Sequence, residues 1–147
     1  MNDDAQTEIT QTGELLYRQV HPSFIQNERI SSQAFRPNED DERKLSVSRE
    51  SLTTAKDAFT LYTEAKKLRS IGVWAVSVSE SNQHDLKCFS DPLETPISDP
   101  AHSLIDFSKA PSEQKVRQKG EKLANLARVR GRLHPQGIDP KQSGSGS

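Results

Sequence analysis

From Leu15 to Ser48 the chain alternates apolar and polar residues in three short pieces, and a period of two commits them to strands. The first piece, Glu14 to His21, is stopped by Pro22, which has no N–H to donate to a ladder. Leu15, Tyr17, Gln19 and His21 share one face; Leu16, Arg18 and Val20 share the other. Arg18, between two apolar neighbours, is either a cation aimed into a cleft or an arginine whose stem lies along the sheet. A second strand is expected over Arg29 to Phe35. A third, Leu45 to Arg49, sets Ser46 and Ser48 opposite Leu45 and Val47. The acidic run Glu39 to Glu42 lies in an exposed turn between them. It lacks the glycine and the spacing of a calcium loop, so no metal site is expected.

Thr54 to Arg69 has helical spacing, with Ala55, Ala58, Phe59, Tyr62, Ala65 and Leu68 in one stripe. Thr54 and Asp57 offer an N-terminal cap; Lys66, Lys67 and Arg69 suit the C-terminal end, and Gly72 fits just beyond it. Val73 to Glu80 then alternates as a strand. Trp74, Val76 and Val78 line one face, and the small residues opposite are expected to be wet or lightly covered. Lys87 to Phe89 fits a short edge strand. Ala101 to Phe107 fits a last one, with Ile105 and Phe107 inward and His102 and Asp106 on the other face. A second helix starts at the Ser112 cap and runs to Arg132, with Val116, Leu123, Ala124 and Ala127 as a thin apolar face. Gly120 inside it costs about 1 kcal/mol relative to alanine.

The expected architecture is therefore α+β: a mostly antiparallel sheet of about five strands, one helix packed on it and a basic C-terminal helix. Residues 1–13 are expected to be a flexible lead-in, 14–132 a single domain, and 133–147 a tail ending in a linker-like Ser-Gly run. Hydrophobic residues are only 31% of the chain, but the net charge of −1 removes the repulsion that usually accompanies disorder. Cys88 is the single cysteine, which excludes an intrachain disulfide and favours a reducing compartment. No apolar run reaches the ~18 residues of a membrane span, and the acidic start is unlike a signal peptide. A cytoplasmic chain with no membrane partner is expected.

Leu16-Tyr17-Arg18 on a first strand, Ser31-Ser32 through Phe35, then Leu45-Ser46-Val47-Ser48 feeding a helix with Ala55, Ala58 and Tyr62 resembles the front half of ADP-ribosyltransferase-like folds. The resemblance implies that Arg18 or His21 meets the adenosine or pyrophosphate side of NAD, and that Ser46 or Ser48 flanks the nicotinamide ribose. It leaves the later carboxylate to Asp106 or Glu80. NAD would be the cofactor of that enzyme; otherwise none is implied.

Two function classes follow. In the leading one the chain is an interaction or regulatory module, of the sort found in toxin, immunity or defence systems. Its polar patch of Arg18, His21, Ser31, Ser32, Ser46, Ser48 and His102 binds a partner or a small anionic ligand. The alternative is the NAD-dependent transferase. Residues 109–132 hold eight basic and two acidic side chains. Lys115, Arg117, Lys119, Lys122, Arg128, Arg130 and Arg132 thus form a candidate docking face for a partner protein. Nucleic acid is poorly supported, because no aromatic residue in that segment can stack on a base.

Overall fold

The computed structural model describes residues 7–37 and 42–135. The alternating runs pair into one five-stranded antiparallel sheet in the order β5-β1-β4-β7-β6. The strands are β1 (Leu15–Val20), β4 (Lys44–Arg49), β5 (Gly72–Ser77), β6 (Lys87–Ser90) and β7 (His102–Asp106). A separate two-stranded hairpin joins β2 (Ile25–Gln26) to β3 (Arg29–Ile30). Asn27 and Glu28 turn it with φ of 54° and 67°, the positive values a tight two-residue hairpin requires. The helices are α1 (Ala55–Thr60), α2 (Val78–Gln83) and α3 (Glu113–Arg130). The α+β class and the mostly antiparallel sheet expected from the sequence are both present. Among the described residues no helix is long and apolar enough to cross a membrane.

Both faces of the sheet are covered. Leu16, Val20, Leu45, Val47, Val76, Ile105 and Phe107 form the larger core with Val116, Leu123, Ala124 and Ala127 of α3. On the other face Tyr17, Val73 and Ala75 pack against Ala55 and Phe59 of α1 and against Leu133. The face of β5 expected to be wet is thus dry: Val73 and Ala75 have no exposed surface. Their small side chains let α1 lie close.

Three expected boundaries move. The segment Arg29 to Phe35 stays extended only to Ile30; a 3-10 turn over Ser32–Phe35 then tucks Ala34 and Phe35 fully into the core. The strand expected through Glu80 stops at Ser77. There Ser77 Oγ accepts from the Glu80 N–H and the Glu80 carboxylate accepts from the Ser77 N–H, a reciprocal cap that starts α2. The helix from Thr54 does begin at its cap, with Thr54 Oγ1 accepting from the Asp57 N–H. After Thr60 it loosens into a π-helical turn, Leu61–Ala65, and Lys67 leaves it with φ of 61°. Gly72 opens β5 instead of ending that helix.

Residues 7–12, expected to be flexible, are docked. The Ile9 N–H donates to Cys88 O and the Ser90 N–H to Thr7 O, so this segment covers the outer edge of β6, and Ile9 is buried. The other end of the described chain does the same for β5. The Leu133 N–H donates to Val73 O, and the Val73 N–H donates to His134 O. Open strand edges invite pairing with other chains, which gives both ends a reason to be fixed. Residues 1–6, the acids at 39–41 and the tail from 136 onward lie outside the described residues.

Candidate functional site

The site sits where two central strands part. β1 and β4 are registered only at Leu16 with Arg49 and Tyr17 with Ser48. Beyond that point β1 continues along β5 to Val20 and β4 continues along β7 to Lys44, with no pairing between them. Arg18 occupies the opening. Its Nη1 donates to Ser46 O at 3.0 Å and its Nε to Ala34 O at 2.8 Å. Both of these acceptors are backbone carbonyls and not serine hydroxyls.

Around this opening lies a cleft of about 530 Å³, within the range of small-molecule sites. Arg18, His21, Ser46, Ser48 and His102 all line it. Ser31 and Ser32 do not. Ser32 opens the 3-10 turn that supplies Ala34 O and Ser31 precedes it as the N-cap, with its hydroxyl buried and without a hydrogen-bond partner among the described residues. The wall opposite the strands comes from the π-helical turn, through Leu61, Tyr62, Lys66 and Leu68. There the Lys66 N–H reaches back five residues to Leu61 O, which widens the helix where Tyr62 and Lys66 line the cleft. Lys66 Nζ is ion-paired to Asp99 at 2.7 Å. Helical spacing gave no sign of this role for Lys66, since its charge equally suits a helix end.

The two histidines are held in opposite senses. His21 Nδ1 accepts from the Ser23 N–H at 3.0 Å, capping the 3-10 turn Pro22–Phe24. His102 Nδ1 faces Asp91 O at 3.0 Å and Asp91 Oδ2 at 3.1 Å. Both of those oxygens are acceptors, so Nδ1 of His102 carries a proton, and in the imidazole form the lone pair lies on Nε2. Burial, reinforced by Glu50 and Glu14, pushes the Tyr17 phenol up, so the hydroxyl bordering the cleft stays protonated.

Strand register sets these groups in one row. Tyr17 is opposite Ala75 on β5 and opposite Ser48 on β4. Ser48 is opposite His102 on β7, and the Asp91 N–H donates to His102 O from the far side. Tyr17, Ser48, His102 and Asp91 thus follow one another across four adjacent segments.

The carboxylates considered for transferase chemistry are engaged elsewhere. Asp106 Oδ1 accepts from the Ser108 N–H, and Glu80 pairs with Arg130 at 2.9 Å. Asp99 is the carboxylate among the residues lining the cleft. Cys88 is fully buried; desolvation pushes its thiol up to about 11, which makes it inert at neutral pH.

The seven basic residues expected on the C-terminal helix divide, and Arg132 lies beyond its end at Arg130. Lys119 Nζ donates to His84 O, Arg128 Nε to Ile30 O and Arg130 Nη1 to Ala75 O, while the Arg132 stem lies against Gly72. Lys115, Arg117 and Lys122 are exposed. No protein-family model, curated protein or solved structure matches the chain.

Proposed function

We propose that the protein binds a small anionic ligand in the cleft at the β1–β4 opening. One observation carries this: five of the seven polar residues singled out in the sequence line a single cavity of about 530 Å³. The lining suits an amphipathic anion. Arg18 supplies a guanidinium and Lys66 an ammonium paired with Asp99; Ser23, Ser46 and Ser48 supply hydroxyls, and Phe24, Leu45, Leu61 and Leu68 supply an apolar wall. The cleft is favoured over the C-terminal helix as the place of function because Lys119, Arg128 and Arg130 of that helix are bonded to backbone carbonyls of the same fold.

The test is a thermal-shift titration with inorganic pyrophosphate, ADP and NAD, each at millimolar concentration, on the wild type and on Arg18→Ala. A ligand that binds the native state alone raises the melting temperature, and the increment should shrink in the variant. Equal increments in both proteins, or none with any probe in the wild type, would remove the basis for this function.

A further inference from the structure

The geometry points to a second property of this cleft: Ser48, His102 and Asp91 form a nucleophile, a base and its orienting carboxylate for the hydrolysis of an ester that carries an anionic group. The inference rests on the ligand-binding function for its anionic selectivity, and on the strand row for its chemistry.

Ser48 and His102 are brought together by register. The Arg49 N–H donates to Ala101 O and the Phe107 N–H to Arg43 O, so the hydrogen-bonded pairs of β4 and β7 fall on the odd-numbered residues of β4. Ser48 and His102 are therefore a non-hydrogen-bonded pair, the type in which Cα atoms stand only ~4.5 Å apart and side chains come closest. Both side chains line the cleft. Among the described residues, neither Ser48 Oγ nor His102 Nε2 has a hydrogen-bond partner. Asp91 fixes the ring and its tautomer from the opposite side, as the carboxylate of a serine–histidine–acid triad does. No hydrogen bond joins Ser48 Oγ to His102 Nε2 among the described residues, and such contacts are commonly loose before ligand binds.

The chemistry balances with water as the only co-reactant. Ser48 Oγ attacks the ester carbonyl carbon while its proton passes to His102 Nε2. The tetrahedral adduct collapses by breaking the bond to the alcohol oxygen, which takes that proton from His102. Water then attacks the acyl-serine, giving one proton to His102 as its oxygen bonds to the carbonyl carbon. Collapse releases a carboxylic acid, and His102 returns the proton to Ser48 Oγ. Asp91 takes no proton in these steps and acts as a positioning residue.

A fluorophosphonate probe reads this directly, since it phosphonylates an activated serine. The full chain should give one adduct on the peptide containing Ser48, none in Ser48→Ala, and labelling slowed roughly 10²–10⁴-fold in His102→Gln. Asp91→Asn should slow labelling too and shift its pH profile, which loss of folding alone would not do; near-ultraviolet circular dichroism confirms that each variant is folded. No adduct on Ser48, or labelling at an unchanged rate in His102→Gln, overturns the inference. If pyrophosphate still stabilises a protein that the probe does not label, this inference falls and the binding function stands. If Ser48 is labelled while no anion stabilises the chain, the triad stands and the anionic selectivity falls.

Discussion

The seam between β1 and β4 is shut at one end and open at the other, and an arginine sits at each end. At the shut end Arg49 grips the Glu14 carboxylate through two bonds of 3.0 and 2.9 Å, and the Ser51 N–H adds a third at 2.8 Å. At the open end Arg18 bonds to two carbonyl oxygens, Ser46 O on β4 and Ala34 O in the 3-10 turn. A carboxylate matched to a guanidinium allows both to leave water, and only 4% of the Glu14 side chain remains exposed. Carbonyls orient a guanidinium through its N–H groups, and Arg18 lines the cleft while held by two of them. One residue type thus closes a carboxylate pair where the strands are registered and reaches across to backbone carbonyls where they are not.

Breaking the shut end should have the largest effect. Glu14→Gln leaves Arg49 half-buried without its counter-charge and should cost about 3 kcal/mol in urea unfolding. The pH dependence follows from the same contact. Burial raises the Glu14 carboxyl, but its bonds from Arg49 and Ser51 outweigh that and hold it below the ordinary value of 4.5. A carboxyl depressed in the folded state contributes stability that is present above the unfolded value and lost as pH falls through the folded one. The wild type should therefore lose stability on acidification below about pH 4.5, and Glu14→Gln should lose less. Some slope should remain in the variant, because Arg130 and the Ser77 N–H likewise hold Glu80 below 4.5 against the effect of its burial. Parallel pH profiles for the two proteins would refute the assignment.

At the open end Arg18→Ala should cost about 1.5 kcal/mol, half the penalty, because water can reach the carbonyls it abandons. Its effect on ligand-induced stabilisation should be much larger than its effect on folding. Arg18→Lys should recover only part of either, since one ammonium cannot span Ser46 O and Ala34 O as a planar fork does. A lysine variant indistinguishable from wild type would mean that charge alone matters at the opening.

The shut end and the open end were unequally legible in the sequence. Alternation located β1, β4 and β7, and with them the faces that carry Arg18, Ser46, Ser48 and His102. It could not show that β1 and β4 part, because register belongs to pairs of strands and not to either one. His102 illustrates this. The acid four residues along its own strand, Asp106, shares its face, yet the histidine bonds to Asp91, eleven residues away and brought alongside by the β6–β7 pairing. Lys66, Tyr62 and Asp99 were missed for a different reason. They come from a π-helical turn and a proline-rich loop, neither of which has a period to read. The cap at Ser77 was spelled out by Ser77-Val78-Ser79-Glu80. It was masked by the apolar alternation that runs into it.

Gly120 offers a way to disturb the open end from a distance. A Cβ there would stand 2.8 Å from Arg36 Cβ and 3.1 Å from Phe35 O, so the glycine lets the 3-10 turn press against α3. That turn supplies Ala34 O, one of the two acceptors of Arg18. Gly120→Ala gains about 1 kcal/mol of helix propensity and meets an overpacking cost of about 2 kcal/mol. The net effect should be a loss near 1 kcal/mol, together with weaker ligand stabilisation. A more stable protein would show that the turn can yield without strain.

The smallest effects should come from the solvent side of α3. Lys115, Arg117 and Lys122 are exposed, make no ion pair among the described residues and do not line the cleft. Exposed substitutions of this kind fall within about 0.5 kcal/mol, so replacing all three by alanine should leave both unfolding and ligand-induced stabilisation close to wild type. Arg130→Ala, one turn of thought away in charge but bonded to Ala75 O and Glu80, should not be neutral, because it uncovers the edge of β5 and releases the Glu80 carboxylate. The contrast extends the lesson of the two arginines to the whole helix: a basic side chain matters here according to the acceptor it reaches. A triple variant that lost the ligand response would place the helix in the binding site and break that rule.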